Sequence, residues 1–135
     1  MYLFVYGTLR KDIPCGKNSL LLPYCEYRDL AFTRGELFEI AGYPGLVYSP
    51  VMPLVHGELY KIRFPNELFS LLDEYEECSK NHPKPHEYTK KIIPVTSQSG
   101  QDFNAWAYIY NRQTGDKLKI SSANYFNYMI DNKLF

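Results

Sequence analysis

Only one long stretch of this chain repeats its apolar residues at helical spacing, which is incompatible with the regular strand-helix alternation of a doubly wound parallel sheet. Within Pro65 to Glu76, Leu68, Leu71, Leu72 and Tyr75 recur three and four residues apart, and Pro65 suits a first helical turn. The segments around it are aromatic and β-branched. Tyr2 to Tyr6, Cys25 to Phe32, Glu36 to Ile40, Val55 to Ile62, Glu87 to Thr96 and Phe103 to Tyr110 read as strands, with a short apolar piece at Leu46 to Tyr48. Thr33-Arg34-Gly35 is predicted to separate two of them, Gly42-Tyr43-Pro44-Gly45 has turn chemistry, and Ser97 to Asp102 joins the last pair as a hairpin. Leu20 to Leu22 suits a short helical turn before Pro23. Ser121 or Ser122 can cap a C-terminal helix presenting Tyr125, Phe126, Met129 and Ile130 on one side. The fold class predicted is α+β: a small mixed or antiparallel sheet, closing into a β-barrel, with flanking α-helices.

A chain of 135 residues, 45% of them apolar, is long enough for one core around a small-molecule pocket and too short for two, so residues 1–135 are expected to form a single domain. Its 15 basic residues balance 15 acidic ones without a basic run, which argues against nucleic acid as a partner. No run approaches the roughly 18 apolar residues of a membrane helix, and Met1 to Arg10 read as a strand reaching a glycine rather than a secretion signal. The expectation is a cytoplasmic protein. Cys15, Cys25 and Cys78 are odd in number and lack metal or redox spacing, so they are expected to be reduced, packed thiols. Cys78, His82 and His86 stand four apart, but Pro83 and Pro85 break any helix that could align them, and residues 78–86 are predicted to be an exposed loop without a metal. Glycine-rich dinucleotide and P-loop signatures are missing.

The segment Leu72 to Glu77 contains the carboxylates Asp73, Glu74, Glu76 and Glu77. On a wheel with Leu68 at zero, Leu71, Leu72 and Tyr75 fall within about 60° of it and face the core, while Glu76 lies at about 80° and Asp73, Glu74 and Glu77 at about 140°, 240° and 180°. Glu76 alone borders the buried side. Partial desolvation and the negative end of the helix dipole both raise a carboxyl pKa there, making it a better proton acceptor. From the wheel alone, a structural pair with a Lys, an Arg or a Tyr hydroxyl is the more ordinary reading of such a position. Tyr6-Gly7-Thr8-Leu9 leaves the first strand through a glycine and a small hydroxyl residue, a setting in which backbone N–H groups can converge on a carboxylate or carbonyl oxygen. By itself that tetrapeptide also fits an ordinary strand exit.

Taken together, Phe4-Val5-Tyr6-Gly7-Thr8-Leu9-Arg10, Thr33-Arg34-Gly35-Glu36-Leu37, Tyr43-Pro44-Gly45-Leu46-Val47, Val55-His56-Gly57-Glu58-Leu59-Tyr60, Leu72-Asp73-Glu74-Tyr75-Glu76, Tyr88 and Ala105-Trp106-Ala107-Tyr108 resemble the γ-glutamylcyclotransferase-like, or AIG2-like, family. Members similar in length are the γ-glutamylamine cyclotransferase-like proteins. The resemblance covers nearly the whole chain. It implies a small β-barrel with flanking helices, no metal or organic cofactor, and an enzyme releasing 5-oxoproline from a γ-glutamyl compound. It places the catalytic carboxylate on Glu76 and the substrate-binding turn on Tyr6, Gly7, Thr8 and Leu9, with Tyr88 as a further pocket residue. The sequence departs from the family pattern at Glu77, where glycine is usual, at Lys90, where arginine is frequent, and at Ala123 and Tyr125, where glycine and tryptophan are frequent.

The implied chemistry needs few parts. A γ-glutamyl group brings its own nucleophile, the α-amino nitrogen, which closes a five-membered ring on the γ-carbonyl, so the protein must only orient the chain and move protons. Glu76 as base and then acid would suffice. The departures at Glu77 and Tyr125 leave a non-catalytic, small-molecule-binding or regulatory member of the fold as the alternative. Removal of a γ-glutamyl protecting group in a biosynthetic pathway is a third option.

Overall fold

The computed structural model describes residues 1–14, 16–40, 42–76 and 87–132. Strands β1 (Tyr2–Val5), β2 (Cys25–Ile40), β3 (Tyr43–Tyr48), β4 (Leu54–Ile62), β5 (Tyr88–Ser97), β6 (Asp102–Tyr110) and β7 (Leu118–Lys119) accompany helices α1 (Pro65–Tyr75) and α2 (Tyr125–Asp131). A short 3₁₀ turn occupies Asn18–Leu20, slightly earlier than the predicted Leu20 to Leu22.

Five strands close on themselves in the order β2-β4-β1-β6-β5, with Ala31 and Phe32 of β2 meeting Ser97 and Thr96 of β5 to complete the ring. All neighbours are antiparallel except β1 and β6, which run parallel with Leu3 opposite Trp106. The result is the expected mixed barrel with two flanking helices. Alternation along each strand sorts the apolar residues into two cores. Phe4, Leu59, Val95 and Ala105 pack with Tyr125 and Met129 of α2, while Leu3, Val5, Tyr60 and Ile62 pack with Leu68 and Leu72 of α1.

The predicted break at Thr33-Arg34-Gly35 does not exist, because β2 runs through it without a turn. The strand changes partner there: Arg34 pairs with Leu54 of β4 and Gly35 with Tyr48 of β3, and the Thr33 hydroxyl donates to the Pro94 carbonyl at 2.8 Å. Small and polar residues thus mark an exchange of neighbours rather than a reversal. A register shift between Tyr27 and Asp29 bends the same strand, as barrel closure requires. Strand β7, which the sequence pattern did not suggest, adds two residues beside Phe38 and Glu39.

Helix α2 begins at Tyr125 with Asn124 as its cap, its side chain accepting from the Asn127 N–H, instead of with Ser121 or Ser122. Ala123 just before the cap holds a left-handed backbone, with φ of 52°. That conformation costs a residue with a Cβ roughly 1 kcal/mol, partly offset in a Gly variant by the greater freedom glycine loses on folding. Ala123→Gly is therefore expected to raise stability by up to about 1 kcal/mol, read as a higher urea midpoint with an unchanged slope.

Candidate active site

The chain leaves β1 at Val5 and turns through Tyr6–Leu9. The Gly7 carbonyl accepts from the Arg10 N–H at 3.0 Å and the Thr8 carbonyl from the Lys17 N–H at 2.7 Å, so the carbonyl side of the turn is occupied. Among the described residues, none accepts a hydrogen bond from the N–H of Thr8 or Leu9. Gly7 does not take up a left-handed conformation. Its role is proximity, since a Cβ there would lie 2.6 Å from Cγ of Pro44. The turn is thereby seated against the start of β3.

This turn forms one wall of a cavity of about 340 Å³. Glu76 and Tyr75 at the end of α1 form another, and Tyr43, Pro44, Glu87, Tyr88 and Tyr108 complete much of the remainder. The candidate residues Glu76, Tyr6, Gly7, Thr8, Leu9 and Tyr88 consequently share a single concavity. Glu76 is the first residue beyond α1, and its N–H still donates to the Leu72 carbonyl at 2.8 Å, which preserves the helical phase assumed for the wheel. Its carboxyl is pushed up to about 7, first by burial and then by the negative charge of Glu87. Asp73, one turn earlier, accepts from the Tyr108 hydroxyl at 2.6 Å and pairs with Lys90 at 3.2 Å. These contacts fasten the end of α1 to β5 and β6.

Tyr75 departs from its expected place in the core. It is 38% exposed, and its hydroxyl lies 2.9 Å from the Thr8 hydroxyl, linking the α1 wall to the turn. The last turn of the helix overhangs the cavity instead of the barrel, so a residue in phase with Leu68 meets open space. Tyr6 and Tyr88 are wall residues whose hydroxyls are engaged, Tyr6 with the Tyr108 carbonyl at 2.6 Å and Tyr88 with the Pro44 carbonyl at 2.9 Å. Burial holds both phenols well above their ordinary pKa, with further increments from Glu76 for Tyr6 and from Tyr6 for Tyr88. Both remain neutral.

Glu87 was not singled out from the sequence. It accepts from the Tyr43 hydroxyl at 2.9 Å and lies 3.6 Å from Arg112. Only the approach of β3 to the start of β5 brings Tyr43 and Glu87 together, and no local pattern encodes that approach. Cys25 is buried, and burial pushes its thiol up to about 11, far from a reactive thiolate. Cys15, Cys78, His82 and His86 lie outside the described residues, as does the predicted 78–86 loop. Among the described residues, no three His, Cys, Asp or Glu side chains gather as metal ligands, and no helix is long and apolar enough to cross a membrane.

A sequence profile of the family described as gamma-glutamyl cyclotransferase, AIG2-like, matches residues 3–127. A protein of Methanocaldococcus jannaschii named "Putative gamma-glutamylcyclotransferase" is 25% identical over 131 residues, covering 94% of this chain and 97% of that protein. Among solved structures, YkqA from Bacillus subtilis superposes with a TM-score of 0.72 at 28% identity over 99% of this chain. This chain spans only 42% of YkqA, which is therefore a much longer protein. An AIG2-like protein of Mus musculus superposes with a TM-score of 0.67 at 20% identity, covering 85% of this chain and 80% of that one, a likeness of fold.

Proposed function

Since the chain belongs to the gamma-glutamyl cyclotransferase, AIG2-like family, we propose that it converts a γ-glutamyl amine or γ-glutamyl amino acid into 5-oxoproline and the free amine, with Glu76 moving the protons. One observation carries this reading: a carboxyl with a pKa of about 7 shares a small cavity with a turn whose Thr8 and Leu9 N–H groups have no acceptor among the described residues. A base poised near neutrality is the group that proton transfer to and from nitrogen requires.

In this mechanism the turn N–H groups hold a carboxylate oxygen of the γ-glutamyl moiety, away from the reacting carbonyl, and Glu76 takes a proton from the α-ammonium. The freed nitrogen attacks the γ-carbonyl carbon, forming the ring C–N bond. As the tetrahedral centre collapses, the bond to the leaving nitrogen breaks, and Glu76 returns its proton to the departing amine. A second proton passes from the ring nitrogen to the amine by the same route. Holding nucleophile and carbonyl in one cavity supplies the orientation on which the rate of such a ring closure chiefly depends. The reaction calls on no cofactor.

The test is incubation with a panel of γ-glutamyl amines and γ-glutamyl amino acids while 5-oxoproline is measured, with Glu76→Gln alongside. The reading fails if wild-type protein releases none from any of them. A pH profile adds a finer expectation. With Glu76 acting as base, kcat/KM should climb with pH through a midpoint near 7, the pKa of the free protein. Removing the neighbouring charge with Glu87→Gln removes one of the two causes of the elevation, so the acid limb should move to lower pH. An unmoved limb would mean that Glu87 does not tune the base.

A further inference from the structure

Strand β4 carries a second buried carboxylate, which the proton path does not use. Glu58 is only 1% exposed. Burying a carboxylate is unfavourable unless its oxygens are hydrogen-bonded, yet Oε2 has no partner among the described residues. The other oxygen carries all the contacts: Oε1 accepts from the Lys11 N–H at 2.8 Å and from the Tyr60 hydroxyl at 2.9 Å. Burial raises the pKa of the group, with these two bonds acting in the opposite direction.

What the bonded oxygen holds becomes visible one link further on. Asn18 Nδ2 donates to the Tyr60 hydroxyl and to the Leu9 carbonyl, each at 2.8 Å. A continuous chain of hydrogen bonds therefore runs from Glu58 through Tyr60 and Asn18 to Leu9, while Glu58 itself grips the backbone two residues later. Both attachments fall at the far end of the Tyr6–Leu9 turn, whose near end is already fixed in β1 by the β4 ladder. The Leu9 N–H shares its planar peptide unit with the Thr8 carbonyl, which the Lys17 N–H holds at 2.7 Å, and fixing the Leu9 carbonyl and the Lys11 N–H on the following units pins the chain on the other side of it. Such a network has more authority over geometry than its separate bonds, since each link orients the next.

We infer that Glu58 is a positioning residue, holding the substrate-binding turn in its working geometry through Tyr60, Asn18 and Leu9 without touching substrate. The inference rests on the assignment of that turn to a γ-glutamyl group. A turn that grips the substrate equally before and during ring closure affects KM and leaves kcat nearly unchanged.

The experiment compares Glu58→Ala, Glu58→Gln and Asn18→Ala with Val95→Ala, a core truncation away from the cavity that serves as a control for general destabilisation. Glu58→Ala and Asn18→Ala should each raise KM about tenfold with kcat changed less than about threefold. Glu58→Gln keeps an acceptor at the position of Oε1 and should restore KM. Calorimetric titration of γ-glutamylbutylamine into the same variants on a Glu76→Gln background reads the effect on binding without turnover, so a silent wild-type protein would count against the cyclotransferase reading and leave this one measurable. Should Glu58→Ala fail to fold, Asn18→Ala alone carries the comparison. Values of KM or affinity no more altered than in Val95→Ala, or a Gln variant as impaired as the Ala variant, would overturn the proposal.

Discussion

Glu76→Gln is expected to lower kcat by about two to four orders of magnitude while making the protein more stable above neutral pH. The two effects have one origin. Glutamine keeps the size and shape of the side chain but can neither take nor return a proton, so the whole acid-base contribution is lost. Stability responds in the opposite direction because the carboxyl has a folded-state pKa of about 7 against an ordinary value of 4.5. A carboxyl with a raised folded pKa binds more protons in the folded state than in the unfolded state, so its contribution falls as pH rises from about 4.5 and levels off above about 7. At about 1.4 kcal/mol per pKa unit, the penalty in wild-type protein at pH 8 is on the order of 3 kcal/mol. Glutamine does not carry it. Thermal melts of both proteins at pH 4.5 and pH 8.5 should show a gap that widens with pH in favour of the variant. A gap that stays constant would mean that residue 76 is not held in a desolvated, proton-retaining environment. Full activity in the variant would remove Glu76 from the mechanism.

The reason Glu76 could be found in the sequence is that its placement is a local property. A helix started by Pro65 and registered by Leu68 and Leu72 carries its phase one residue past its end, where the Glu76 N–H still reaches Leu72. The same logic failed for Tyr75, because phase says which way a side chain points and not whether core or cavity lies there. The exit turn at Tyr6–Leu9 was legible as a turn, but its seat against Pro44 needs both β1 in the closed ring and β3 paired on β2 outside it. Closure itself depends on pairings between residues far apart in the chain, such as Ala31 with Ser97 and Leu3 with Trp106. Glu87 and Glu58 escaped notice for a related reason. One acts by standing beside Glu76 after β3 meets β5, and the other through a relay spanning β4 and the loop after β1. Neither arrangement leaves a periodicity. The familiar spacing of family motifs pointed to the neighbourhood without stating what these residues contact there.

Gly57→Ala is expected to destabilise the fold by about 3 kcal/mol, lowering the melting temperature by roughly 10 °C, and to impair substrate binding in whatever fraction remains folded. A Cβ at this position in β4 would fall 2.4 Å from the Val5 carbonyl oxygen and 2.5 Å from Cζ of Phe4. Neither neighbour can yield easily. The Val5 carbonyl belongs to β1, whose register with β4 runs from Tyr2 opposite Lys61 to Val5 opposite Glu58. Phe4 is only 1% exposed within one of the cores, so its ring moves only if the side chains packed on it repack. Relief must come from separating β1 from β4, which breaks ladder bonds in a closed barrel that has no free edge on which to re-form them. The displaced strand is the one that leads directly into Tyr6 and Gly7, so the turn moves with it. The same substitution at Gly115, where an added Cβ would meet no atom within 4 Å, should change the melting temperature by a degree or two at most. Equal melting temperatures for the two variants would show that β1 and β4 do not approach as closely as the barrel requires. A Gly57→Ala protein that melts early but binds γ-glutamyl compounds normally would separate the packing of β1 from the geometry of the turn it feeds.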